Sequence, residues 1–183
     1  MHKMRQPILR AVATISMALT LGSATAAWSA AGLPGGASSL TETYGNWTVT
    51  CLVQKQGENQ KVLCSMSQQQ VDDKRQRALA VEISPSDKNS AAGAFVLPFG
   101  LKLASGATLQ LDETPADQPL AFTTCLPAGC IVPVNLDAAK ADALGKGKNL
   151  FVLAQAMDGN QIKLNVPLDG FAAALKRTRE LLK

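Results

Sequence analysis

The sequence predicts an all-β domain, an antiparallel β-sandwich with one or two short helices, including a C-terminal one. Three observations lead there. From Gly45 onward, apolar side chains alternate with polar ones at period two. Clusters of Gly, Pro, Asn, Asp and Ser cut the chain into short segments. Helical spacing is confined to two stretches in the last third. With 183 residues, 46% hydrophobic and 17% charged, the chain suffices for one domain with its own core and is marginal for two. It holds no run of ~18 apolar residues, so no ordinary transmembrane helix is expected.

Residues 1–26 read as a secretory signal peptide. Lys3, Arg5 and Arg10 precede an uncharged stretch from Ala11 to Leu21, and Ala24-Thr25-Ala26 supplies the small-x-small pattern of a cleavage site. Cleavage is placed after Ala26, with Ala27 and Ala31 as alternatives. An uncleaved anchor is disfavoured because the apolar run is short and Gly22, Ser23 and Gly32-Leu33-Pro34-Gly35-Gly36 interrupt it. Removing the leader takes three of the 18 basic residues and none of the 14 acidic ones, leaving a net charge of +1. Nucleic acid is therefore not an expected partner. The one histidine, His2, leaves with the leader. A mature chain without imidazole has neither a Ser-His-Asp or Cys-His triad nor a His-ligated metal. Residues 27–41 are rich in Gly, Ser, Ala and Pro and read as a flexible arm, which places the domain at 42–183.

The strands follow in order. Trp47, Val49, Cys51 and Val53 alternate with Thr48, Thr50 and Leu52; Lys55-Gln56-Gly57-Glu58-Asn59 turns the chain; and Val62, Cys64 and Met66 return. Leu79, Val81 and Ile83 form a third strand that ends at Ser84-Pro85-Ser86-Asp87. Further strands are expected at 93–99, 107–112, 119–125, 130–136, 149–157 and 160–166, the last two joined by a hairpin at Asp158-Gly159. A helix is expected from Asp137, its N-cap, to Leu144 before Gly145. A second is expected over 169–182, where Phe171, Leu175, Thr178 and Leu182 recur at helical spacing. The basic residues Lys176, Arg177, Arg179 and Lys183 allow this tail peripheral membrane contact; packing on the sandwich through Phe171 and Leu175 is preferred.

Cys51, Cys64, Cys125 and Cys130 form an even set in an exported chain, which implies two disulfides. Three connectivities are possible. Cys51 with Cys64 and Cys125 with Cys130 is favoured because each pair flanks a turn, with loop-closure contributions of roughly 3 and 2 kcal/mol. In Thr124-Cys125-Leu126-Pro127-Ala128-Gly129-Cys130, Pro127 presets a turn and Gly129 permits positive φ. A redox role would prefer Cys-x-x-Cys at a helix start, so a structural staple is the better reading. Met66 and Met157 without histidine make a poor copper site. Asp112, Glu113 and Asp117 around Pro115 read as an acidic turn in preference to a glycosidase pair or calcium loop. Asp72-Asp73-Lys74-Arg75-Gln76-Arg77 is a mixed-charge loop able to contribute to a partner surface. No catalytic residue, metal ligand or cofactor is expected.

In combination, five segments carry a resemblance. Tyr44-Gly45-Asn46-Trp47-x-Val49-x-Cys51 is followed by Cys64-Ser65-Met66-Ser67-Gln68 and Leu97-Pro98-Phe99-Gly100-Leu101. Thr124-Cys125-Leu126-Pro127-x-Gly129-Cys130 and Gly170-Phe171 complete the series. This order, over essentially all of 42–178, resembles the invasion-associated locus B (IalB) family. The resemblance implies an immunoglobulin-like sandwich in an exported bacterial protein, periplasmic or associated with the outer membrane. It brings no catalytic residue with it.

The expected function is that of a non-enzymatic envelope protein that binds another macromolecule. Its candidate surface comprises Asp72, Asp73, Lys74, Arg75 and Arg77 with Leu126 and Pro127 of the stapled loop. A small-molecule or lipid carrier is the alternative, and a thiol oxidoreductase the weaker one.

Overall fold

The structure, a computed structural model, describes residues 32–183 other than 58, 74, 76, 87 and 88. The leader, the first part of the expected arm and Lys74 lie outside the described residues. The first strands are β1 (Ser39–Tyr44), β2 (Trp47–Gln56), β3 (Asn59–Val71), β4 (Arg77–Pro85) and β5 (Ala91–Leu97). They are followed by β6 (Ala107–Leu111), β7 (Thr124–Leu126), β8 (Gly129–Leu136) and α1 (Ala138–Lys146). The chain closes with β9 (Asn149–Gln155), β10 (Gln161–Pro167) and α2 (Phe171–Leu181).

These elements form an antiparallel all-β fold with two helices. A seven-stranded sheet runs β1-β2-β3-β4-β5-β8-β7, and a three-stranded sheet runs β10-β9-β6. Every ladder is antiparallel. The period-two pattern decides which face is buried. Across the large sheet, Val49, Met66, Ile83, Gly93 and Val134 stand opposite one another in one continuous row. Gly93 keeps the row flat: a Cβ there would lie 2.1 Å from the Glu82 carbonyl oxygen. Inward side chains of both sheets and of both helices belong to one core cluster.

α2 lies against β1 to β4 through Phe171, Ala174, Leu175, Thr178 and Leu181, all buried. This is the packing expected through Phe171 and Leu175, and it takes the helix's apolar stripe away from any membrane surface. The turn into α2 depends on Gly170, whose φ is +84° and whose Cβ would lie 1.9 Å from the Tyr44 carbonyl oxygen. No described helix is long and apolar enough to cross a membrane.

Arg177 of α2 grips the Glu42 carboxylate of β1 with two 2.8 Å hydrogen bonds, and the Tyr44 hydroxyl donates to the same carboxylate at 2.7 Å. The Arg177 guanidinium, helped by that hydroxyl, lowers the Glu42 pKa from the usual 4.5 to about 2. A lowered folded-state pKa stabilises the fold above the unfolded pKa, and that stabilisation is lost as pH falls through the folded value. Denaturant midpoints should therefore fall more steeply between pH 4.5 and about 2 for the natural protein than for Glu42→Gln. Parallel slopes for the two would show that the pair does nothing. Because both side chains are partly exposed, solvent screens the pair, and the effect is modest.

Several elements differ from expectation. β1, which local alternation does not announce, starts at Ser39, within the last residues of the stretch read as an arm. Leu33, also in the expected arm, is buried. The strand expected at 119–125 shrinks to β7, and Leu120 forms only an isolated bridge with Ala107. α1 runs through Gly145 to Lys146, because the Gly147 N–H still reaches the Ala143 carbonyl at 3.0 Å. Its N-cap is Asp137 as expected, whose side chain accepts from the Lys140 N–H at 2.7 Å.

Candidate interaction surface

Antiparallel pairing gathers distant loops at one end of the large sheet. β3 leaves the sheet at Val71 and β4 re-enters at Arg77, its partner in register. β5 ends at Leu97 opposite Cys130, near the start of β8. The β7–β8 turn therefore stands beside the β3–β4 loop. The Arg77 guanidinium ties them by donating to the Ala128 carbonyl. Asp72, Asp73, Arg75, Arg77, Leu126 and Pro127, chosen from two separate stretches of sequence, are thus brought to one end, all of them exposed. Arg75 holds its place with φ +61°, its N–H donating to the Asp72 carbonyl at 2.9 Å.

Both disulfides form as expected between directly paired residues, Cys51 with Cys64 and Cys125 with Cys130. Cys51 and Cys64 are buried under the sheet. Cys130 is buried and Cys125 exposed, so the second staple fixes the shape of the surface loop. It closes the strand-turn-strand unit of β7 and β8.

Sequence reasoning missed part of this end. Pro98, without an N–H, stops β5 from extending, and Phe99 projects beyond it, 62% exposed. The Gly100 carbonyl accepts the Met157 N–H at 2.9 Å, which draws in the β9–β10 turn. Met157 is 71% exposed. Val71, Phe99, Leu126 and Met157 are four of the eight large apolar side chains exposed among the described residues, and each sits on a loop or strand end here. The sequence signal was present in Leu97-Pro98-Phe99-Gly100, which reads as a strand end but does not reveal its neighbours.

The other constellations do not assemble. Met66 is fully buried and Met157 exposed, so they share no site. The Asp112 carboxylate accepts backbone N–H groups of Lys148 and Asn149, at 2.8 Å for the latter, while Asp117 pairs with Lys140 at 3.0 Å. Among the described residues no three His, Cys, Asp or Glu side chains gather closely enough to hold a metal. A cavity of about 180 Å³ beneath α1 is lined by Leu109, Leu111, Leu136, Leu144 and Leu150. It is smaller than the roughly 300–1,000 Å³ of ordinary ligand pockets.

The family model described as Invasion associated locus B (IalB) protein matches residues 47–179. The chain is 42% identical over 156 residues to an Invasion protein B homolog of Brucella abortus, covering 84% of this chain and 87% of the relative. It is 35% identical over 158 residues to Invasion protein B of Bartonella bacilliformis, covering 85% and 83% respectively. The crystal structure of invasion associated protein B from Bartonella henselae superposes with a TM-score of 0.70 at 34% identity, covering 78% of this chain and 96% of that one.

Proposed function

The chain belongs to the invasion associated locus B family, and on that premise we propose that it is an exported, non-enzymatic envelope protein that binds another macromolecule through the loop end of its large sheet. One observation carries this reading. Arg77 bonded to Ala128 joins a mixed-charge loop to a disulfide-stapled turn, with Phe99, Leu126 and Met157 exposed around them. Exposed apolar anchors rimmed by charge are the anatomy of a protein interface, and binding of this kind needs no reactive group. Asp72, Asp73, Arg75, Arg77, Leu126 and Pro127 form the contact surface in this reading. The relatives' names connect them with invasion; for this chain we place the role at the cell envelope, in host-cell entry or envelope maintenance.

Site-specific photocrosslinking in intact cells tests the surface. A photoreactive residue at Leu126 or Phe99 should capture one discrete partner band. The same residue at Lys61, near the opposite end of β3, should capture none. Equal capture from all three positions, or from none, would overturn the assignment.

A further inference from the structure

We propose that the outward face of the three-stranded sheet is a second binding site, specific for an anionic oligosaccharide. Its features lie at the opposite end of β9 from Met157. An open cleft of about 970 Å³ there is lined by Lys146, Lys148, Lys163, Gln110, Asn149 and Phe151, among others. The three lysines come from three different segments: the last turn of α1, the link to β9, and β10. Lys146 and Lys148 are near neighbours in Lys146-Gly147-Lys148, and pairing of β10 with β9 brings Lys163 to them.

Among the described residues, none of the three lysines takes part in an ion pair. The Asp112 carboxylate in the same cleft accepts the N–H groups of Lys148 and Asn149, which fixes it against the backbone while it keeps its charge. Glu113 is the other acid in the lining, leaving three cations against two anions. The Lys163 ammonium is held 3.8 Å from the Phe151 ring centroid, which positions it over the sheet.

The ligand class follows from shape and chemistry. An open cleft of this volume exceeds what a lone phosphate occupies, and separated ammonium groups suit charges spaced along a chain. Gln110 stands opposite Phe151 on one side and Asn165 on the other, so amides flank the ring across the sheet. The Gln110 amide already donates to the Thr114 carbonyl at 2.9 Å, which leaves its oxygen and second N–H for a sugar hydroxyl, while the exposed Asn165 amide both donates and accepts. The ammonium covering Phe151 obstructs stacking of a nucleobase on that ring, which turns the choice away from nucleic acid. The acidic group on the sugar is a carboxylate or a phosphate, and lysine serves either as a point charge.

Backbone-amide NMR titration of the natural protein with trigalacturonate tests this. Shifts are expected over 146–151 and at Lys163, with cellotriose producing none and inorganic phosphate binding more weakly. Lys148→Gln and Lys163→Gln should each weaken trigalacturonate binding about tenfold, the loss of one charged hydrogen bond. Lys61→Gln should leave it unchanged and so controls for folding and net charge. Raising ionic strength to about 1 M, where the Debye length is about 3 Å, should abolish it. No shifts, equal response to cellotriose, phosphate binding as tightly as the sugar, indifference to both substitutions, or equal affinity for a DNA oligonucleotide would each overturn the proposal.

Discussion

Trp47→Ala should destabilise the protein by about 3–5 kcal/mol, the cost of deleting a large aromatic from a packed core. The side chain is 1% exposed and meets Phe171 edge to face, with ring centroids 5.2 Å apart. Its indole N–H donates to the Pro167 carbonyl at 3.2 Å. That contact joins β2 to the segment leading into α2. Because domains of this size are stable by about 5–15 kcal/mol, the loss is a large share of the total. Trp47→Phe should cost distinctly less, since most apolar area returns and the Gln68 amide still donates to the same carbonyl at 3.0 Å. Urea unfolding monitored by far-UV circular dichroism measures both. Equal midpoints for Trp47→Ala and the natural protein would show that the residue does not anchor the core.

Removing the buried staple ranks second. Cys51→Ala with Cys64→Ala should cost about 3 kcal/mol, chiefly by freeing the unfolded chain. The Cys125–Cys130 bond closes a shorter loop, so the same change there should cost about 2 kcal/mol. The two pairs should differ more in what they disturb. Loss of Cys51–Cys64 lowers the stability of the whole sheet, because both residues lie in its core. Loss of Cys125–Cys130 should release the surface turn while β2 and β3 stay paired, visible as hydrogen exchange accelerated at 124–130 alone. Uniform acceleration throughout the sheet would contradict this separation of roles.

Alternation and turn chemistry made most of the fold readable. β2, β3 and β4 follow from apolar residues two apart, and both disulfides from cysteines flanking turns. α1 announced itself through Asp137, and α2 through Phe171 and Leu175. What stayed hidden was whatever depends on tertiary pairing. Ser39–Thr41 of β1 lie in a stretch whose composition reads as linker; β1 is a strand because β2 offers it an edge and Arg177 holds Glu42. The meander of β1 to β5, with β8 and β7 added beyond it, is a matter of strand order, which local pattern does not encode. The surface shows the same division. The 72–77 and 125–130 segments stand out by charge and by cysteine spacing, but their adjacency is set by the pairing of β3, β4, β5 and β8, with an Arg77 hydrogen bond tying the two loops. Phe99 is placed by the end of β5, and Met157 by the Gly100 carbonyl and the Leu101–Ala156 bridge. The lysine cleft is hidden for the same reason, since only the β9–β10 pairing brings Lys163 beside the Lys146-Gly147-Lys148 stretch.

The proposed function requires the chain to work outside the cytoplasm as a doubly stapled binding domain. N-terminal sequencing combined with quantitative thiol labelling of protein from separated cell fractions tests this most directly. We expect a chain that begins at Ala27, resides beyond the inner membrane and takes up label only after reduction. A cytosolic chain that retains Met1 and labels at Cys51, Cys64, Cys125 and Cys130 without reductant would contradict it.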